Sequence, residues 1–251
     1  MNYKLISEGA GGIFSEFMDI FIMNAIKLHG INNLYLELNP RSQLKAGKRC
    51  FNFVLDQSCD RTYKKRLCRF KSGFRIKGKG MGLIEESPLL KKVKKVLGRI
   101  RIKKTITNKV NELHLITEKT LGVHVRGVDM NKTHPKYGVF TLDDYINRIK
   151  LILNNYDIDN VFVAADNHES LSILSSVFGN ITSYPSAIRG KTKEENTWQV
   201  QFDNANNEEF WKEAFIDMLL LSKCKHLLCR MSNLSNASIA YSNTLTNIHR
   251  L

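Results

Sequence analysis

No window of this sequence approaches the roughly 18–20 uninterrupted apolar residues that a membrane-spanning helix needs. The opening stretch MNYKLISEGAGG has neither a charged start followed by an apolar run nor a small-residue cleavage site, so no signal peptide is read and a cytoplasmic protein is expected. CxxC does not occur. The five cysteines are an odd number, and the nine-residue spacing of Cys50, Cys59 and Cys68 is foreign to zinc sites, so plain reduced thiols are expected. HExxH, GxSxG and clustered Cys/His sets are missing, which sets aside zinc-peptidase and serine-hydrolase chemistry. Repeats at periods of 20–50 residues and low-complexity tracts are missing too, so the chain is neither a solenoid nor a disordered tail.

Acidic residues are scarce in one place only. Between Arg61 and Lys104 stand 17 Lys/Arg against Glu85 and Glu86, while the rest of the chain carries 21 bases and 22 acids. The net charge of +14 is therefore local. Such a segment suits an anionic partner, whether phosphate, nucleic acid or the face of an anionic membrane, or else forms a solvated surface.

What is present is a strand–helix alternation. YKLI (3–6) reads as a strand, SEGAGG as a glycine turn, Phe14 to Leu28 as an apolar-periodic helix and NNLYLELN as a second strand ended by Pro40. FNFVL (51–55) reads as a strand and the glycine-bearing stretch 60–83 as mostly loop. A helix follows Ser87-Pro88, with Leu89, Val93, Val96 and Ile100 on one face, and another spans about Thr107 to Lys119. Then come a strand at LGVHVRG (121–127), a helix at 141–155 capped by Thr141, and a strand at DNVFVAAD (159–166). A helix at 168–179 ended by Gly179 leads to a short strand at ITSYP and a long helix at 207–224. KHLLCR gives a strand and SNASIAYSNTL a final helix. Alternation at this spacing builds a parallel sheet covered by helices.

Open parallel sheets bind ligands beyond the C-terminal ends of their strands. Three such ends are polar here: HVRGVD, ADNHE and CRMSNLSN. Arg126 shares a strand face with His124, and its planar fork suits a diphosphate, with Asp129 placed to orient it. Asp166 and Asn167 suit a base or ribose, or cap the next helix. Ser232, Asn233, Ser235 and Asn236 suit an anion at a helix N-terminus, or again a cap. The turn holding Gly11 and Gly12 lacks the GxGxxG and P-loop spacings, and suits close approach to a sugar. Glu8 and Glu16 flank it as candidate general bases. Asp143 and Asp144 lie inside a helix start, a poor place for a metal site.

In order and spacing, LGVHVRGVD, VFVAADNHE and DMLLLSKCKHLLCRMSNLSNASIAY resemble the fucosyltransferase superfamily that includes the rhizobial nodulation, α1,6- and protein O-fucosyltransferases. GAGGIFSEFMDIFIMNAIKLHG resembles its opening glycine turn and helix. The resemblance covers 118–243 well, 7–40 loosely and 41–86 hardly at all. It implies an α/β, GT-B-like fold of two Rossmann-like lobes with parallel sheets, the N-terminal lobe reduced. The division expected is 1–105, an acceptor-side lobe carrying the basic segment 61–104, and 106–251, the nucleotide-sugar lobe. It implies metal-independent, inverting transfer from a GDP-sugar, fucose favoured, to a glycan acceptor in surface polysaccharide synthesis. By match, Arg126 would hold the β-phosphate, His124 and Asp166 the nucleoside, and Ser232 and Ser235 would lie near the phosphates. Gly127 stands where two-arginine members carry the second arginine.

No cofactor or metal is expected beyond the donor itself. The partners expected are a nucleotide sugar and a glycan acceptor, lipid-linked where the basic segment docks on the inner face of an anionic membrane. Two other readings compete: a nucleic-acid- or anionic-surface-binding protein, and a catalytically inactive glycosyltransferase-like binder. Few aromatics interleave the basic stretch, and no nucleic-acid-binding signature occurs, so specific nucleic-acid recognition is not expected.

Overall fold

The computed structural model describes residues 3–7, 14, 17, 34–38, 64–65, 84–86, 90–98, 100–126, 139–185, 188–192, 200 and 207–251. Two parallel sheets organise them. In the smaller, β1 (Tyr3–Ser7) lies between β2 (Leu34–Leu38) and β3 (Lys64–Lys65), with Tyr3 opposite Leu34 and Lys64. The larger comprises β4 (Thr120–Val125), β5 (Asn160–Ala165), β6 (Ile181–Thr182), β7 (His226–Cys229) and β8 (Asn247–Arg250). Its order is β6-β5-β4-β7-β8, every pair parallel. The chain thus starts in the middle, steps outward through β5 and β6, and returns past β4 to β7 and β8. The crevice between β4 and β7, where the direction reverses, is where such sheets take ligands.

Six helices of the described residues are α1 (Leu90–Leu97), α2 (Lys104–Glu112), α3 (Leu142–Asn155), α4 (His168–Val177), α5 (Glu208–Lys223) and α6 (Asn233–Tyr241). A strand's side chains alternate between faces, and here both faces are covered. Leu121, Val123, Val125, Val161, Val163 and Leu228 pack with Tyr145, Ile149 and Ile152 of α3 and Leu174 of α4. Phe162, Ala164, Leu227 and Cys229 face the other way, onto α1, α2, α5 and α6. Phe14 and Phe17 join this second cluster, their rings 5.0 and 5.4 Å from that of Phe215 on α5. Gly122 allows α5 this close to β4, since a Cβ there would lie 2.9 Å from Cys224 Sγ and 3.2 Å from Leu221 Cδ2. Cys224 and Cys229 are buried free thiols, and burial pushes them up to about 12 and about 11.

The expected second-half elements are all present, with corrected ends. The helix expected to reach Lys119 stops at Glu112, because His114 adopts a left-handed backbone (φ 46°) and Thr117 then turns the chain into β4 through its contacts with Thr120. Gly179 does not cap α4. That helix closes on Phe178 in an extended conformation, its N–H still bonded to Leu174 O. The final helix begins at Asn233, set by the cap Ser232, and ends at Tyr241, where Ser242 bonds to the next turn. β8, absent from the sequence reading, follows it. Within the stretch read as loop, Lys64–Lys65 form a strand. The expected strand at 51–55 and most of the helix at 14–28 lie outside the described residues.

Candidate donor site at the switch point

Register alone brings the first two groups together. Val125 pairs with Ala165, so the next residues, Arg126 and Asp166, leave the sheet side by side. Arg126 Nη1 lies 3.8 Å from Asp166 Oδ2, and Arg126 N–H donates to Tyr145 Oη at 3.3 Å. Asn167 does two things. Its Oδ1 caps α4 by accepting from Ser170 N–H at 2.8 Å, and its Nδ2 donates to Asp166 Oδ1 at 2.9 Å. Capping and orientation of the carboxylate are thus the same side chain's work.

His124 pairs across the sheet with Cys229, three residues before the cap of α6. Its Nδ1 lies 2.7 Å from Ser235 Oγ and 3.3 Å from Ser232 Oγ. Ser232 Oγ accepts the N–H of Ser235 at 3.0 Å, as an N-cap should. Burial, reinforced by the Arg126 guanidinium, holds His124 down to about 3, so its imidazole is neutral at any ordinary pH. α6 starts at the same edge, so its N-terminus brings the positive end of a helix dipole there. Asn233 Oδ1, in the first turn, is a buried acceptor with no hydrogen-bond partner among the described residues.

The sequence reading thus named His124, Arg126, Asp166, Asn167, Ser232, Asn233 and Ser235, and the fold gathers all seven at the ends of β4, β5 and β7. Asp129, Glu8, Glu16, Gly11 and Gly12 lie outside the described residues. Asp144 is a capping residue: its Oδ2 accepts from Thr141 N–H at 2.7 Å while Thr141 Oγ1 accepts from Asp144 N–H.

Three groups at this edge escaped the sequence. Arg189 belongs to an extended segment running beside the start of α4, with Gly190 N–H donating to Asp166 O at 2.9 Å and His168 N–H to Gly190 O at 2.8 Å. Its Nη1 donates to Ala165 O and faces Asp217 Oδ2 at 3.3 Å. Asp217 stands on α5, one turn after Glu213, whose Oε2 accepts from Ile188 N–H. Desolvation raises both carboxyls above their ordinary range, Arg189 opposing it at Asp217 and Ile188 N–H opposing it at Glu213. Arg230, directly after β7, is buried with its guanidinium 5.2 Å from the centre of the Phe140 ring. A signal existed for Asp217, a lone carboxylate in the apolar run AFIDMLLL. None marked Arg189. Among the described residues, no three His, Cys, Asp or Glu converge as a metal site, and no helix is long and apolar enough to cross a membrane.

No family model matches the sequence, and no curated protein matches it. Solved structures do match. The fucosyltransferase NodZ from Bradyrhizobium is similar at a TM-score of 0.57 and 15% identity, over 99% of this chain and 94% of that one. NodZ alpha-1,6-fucosyltransferase soaked with GDP-fucose gives 0.56 and 12%, over 96% and 93%. POFUT1 in its apo form gives 0.54 and 9%, over 100% and 97%. At these identities the likeness establishes the fold, which is the GT-B-type α/β architecture of these fucosyltransferases.

Proposed function

We propose that the chain is a glycosyltransferase that takes its sugar from a GDP-linked donor, fucose favoured. The observation that carries this is the Arg126–Asp166 pair at 3.8 Å beside a neutral buried His124 and the N-terminus of α6, all at the switch point of a parallel sheet. The structurally similar NodZ alpha-1,6-fucosyltransferase is described as soaked with GDP-fucose in one structure and co-crystallized with GDP in another, which supports the same donor here.

Sugar transfer passes through an oxocarbenium-like state while the nucleoside diphosphate leaves with growing negative charge. Arg126 is placed to meet that charge with paired N–H groups, and the positive N-terminal end of α6 adds to it without reorganisation. The same positive edge leaves the reading free of any metal step. Asp166 supplies an acceptor and His124 a ring N–H donor. That pair complements guanine, which offers an O6 acceptor and an N2 amino donor, and opposes adenine, which puts an amino group where guanine has O6. A carboxylate among Glu8, Glu16 and Asp129 would take the acceptor's proton, giving inversion.

The acceptor reading is a glycan of surface polysaccharide synthesis. Exposed Lys91, Lys92 and Lys95 on α1, opposite its buried Val93, Val96 and Leu97, favour a lipid-linked acceptor on an anionic membrane face. In domain terms, 106–251 holds the donor and 1–105 the acceptor side.

The test is thermal stabilisation by GDP, UDP, ADP, CMP and their sugars, without added metal. A ligand at 100 times its Kd adds about 2.7 kcal/mol, seen as a raised melting temperature. A GDP-selective response that disappears in Arg126→Ala is expected, together with a loss of about 10²–10³ in transfer rate. Full transfer by a folded Arg126→Ala protein sinks the reading.

A further inference from the structure

The base-reading group of this site is held in one tautomer by two serines. Ser232 Oγ–H donates to Ser235 Oγ at 3.0 Å, and Ser235 Oγ lies 2.7 Å from His124 Nδ1. A neutral imidazole has one donor and one acceptor nitrogen, and the bond made by one nitrogen fixes the role of the other. The hydroxyl bonds give the proton of the 2.7 Å contact to the serine. Ser235 Oγ accepts from Ser232 Oγ–H at 3.0 Å, so its own buried hydroxyl proton is left to seek an acceptor, and Nδ1 is the nitrogen beside it. Cys229 Sγ is a weak acceptor already taken by Arg250 Nη1 at 3.3 Å, and so offers a poorer home for the Ser235 proton.

We propose that the relay Ser232→Ser235→His124 is the specificity determinant of the donor site: by donating to Nδ1 it fixes His124 as an Nε2–H donor, able to bind the O6 of a 6-oxopurine and unable to accept the amino group of adenine. Ser235 acts through His124 and is a positioning residue. It is fully buried, as are its neighbours Ala237 and Ser238, so its hydroxyl has little room to turn away. The inference rests on the GDP-donor reading for its ligand, but the tautomer itself is a property of the unliganded protein.

Two measurements separate those levels. Long-range ¹H–¹⁵N spectra of the imidazoles, with His124 assigned by its loss in His124→Gln, report which nitrogen carries the proton. The wild type is expected to show a single Nε2–H tautomer from pH 5 to 8, and Ser235→Ala a mixed or Nδ1–H form. An Nδ1–H tautomer in the wild type overturns the proposal, whatever the protein binds. Calorimetric Kd values for GDP and ADP form the second arm. Ser235→Ala is expected to lower the GDP-over-ADP preference about tenfold or more, as the loss of one base-reading contact does. An unaltered preference in a folded Ser235→Ala protein also overturns it. Ser232→Ala removes both the cap of α6 and the donor to Ser235, and is expected to lower the melting temperature and to loosen the Nε2–H tautomer less than Ser235→Ala does. A change of tautomer in Ser232→Ala without one in Ser235→Ala would reverse the assigned order. Absence of GDP binding by the wild type, with the tautomer intact, would sink the donor reading and not the relay.

Discussion

Arg189 and Asp217 stand 3.3 Å apart with side chains 4% and 9% exposed, and each keeps one polar atom, Nη2 and Oδ1, without a hydrogen-bond partner among the described residues. A charge buried this way depends on its partner. Removing one member of such a pair costs about 3–5 kcal/mol, whereas replacing both with apolar groups is often neutral. Arg189→Ala and Asp217→Ala are each expected to fall in that range by urea denaturation. Arg189→Met combined with Asp217→Leu is expected to recover most of the loss, so a double variant as weak as the sum of the singles would contradict the pairing.

His124 makes stability pH-dependent in one direction. The unfolded chain binds its proton near the ordinary value of 6.5, the folded one at about 3. Between those values the unfolded state holds more protons, so stability falls as pH drops, by up to about 1.4 kcal/mol per pH unit for this one group. The contribution is complete above pH 6.5. Urea midpoints taken at pH 7, 6, 5 and 4.5 are expected to decline less steeply in His124→Gln than in the wild type. Parallel declines would mean that the histidine is accessible to protons when folded.

Much of this site was readable before folding, because periodicity and strand-end polarity are local signals. VHVR announces a buried strand with His124 and Arg126 in phase, and the fold puts them on one edge. Asn167 and Ser232 announce themselves as caps by standing before helical runs. What local pattern does not carry is partnership. Spacing along the chain offers Arg126 only Asp129, which lies outside the described residues; parallel register brings Asp166 beside it as well, and register between strands 40 residues apart leaves no trace in either segment. Arg189 lies in a segment without periodicity, so nothing foretold its reach to α5. The early stop of α2 at His114 rests on one left-handed residue, a conformation that histidine adopts more readily than most but does not advertise.

Gly122 is expected to tolerate no side chain. In Gly122→Ala the new methyl would press on Cys224 and Leu221, both fully buried, and overpacking of a filled core costs about 1–3 kcal/mol. Combining Gly122→Ala with Cys224→Ala, which removes the nearest atom, is expected to restore part of the loss. A neutral single variant by thermal denaturation would show that α5 and β4 are less closely packed than described.

Asn167→Ala is expected to lower stability by about 0.5–2 kcal/mol through the lost cap of α4. It should also weaken GDP binding, since Asp166 loses the amide that orients it. Asn167→Ser keeps a capping oxygen and removes the amide donor without adding a charge beside Asp166. It is expected to leave the melting temperature near that of the wild type while still weakening GDP, and a variant that binds normally would confine Asn167 to capping.

The bond between His124 and Ser235 joins positions 111 residues apart. Closing such a distance is slow compared with forming any of the helices on the way. A chain that has folded β4, β5 and their helices therefore has Arg126 and Asp166 in place yet no hydroxyl to set the ring and no α6 to meet an anion. On the GDP-donor reading, nucleotide is expected to bind only once β7 and α6 have docked beside β4, which would make the ligand a probe of that step in refolding experiments.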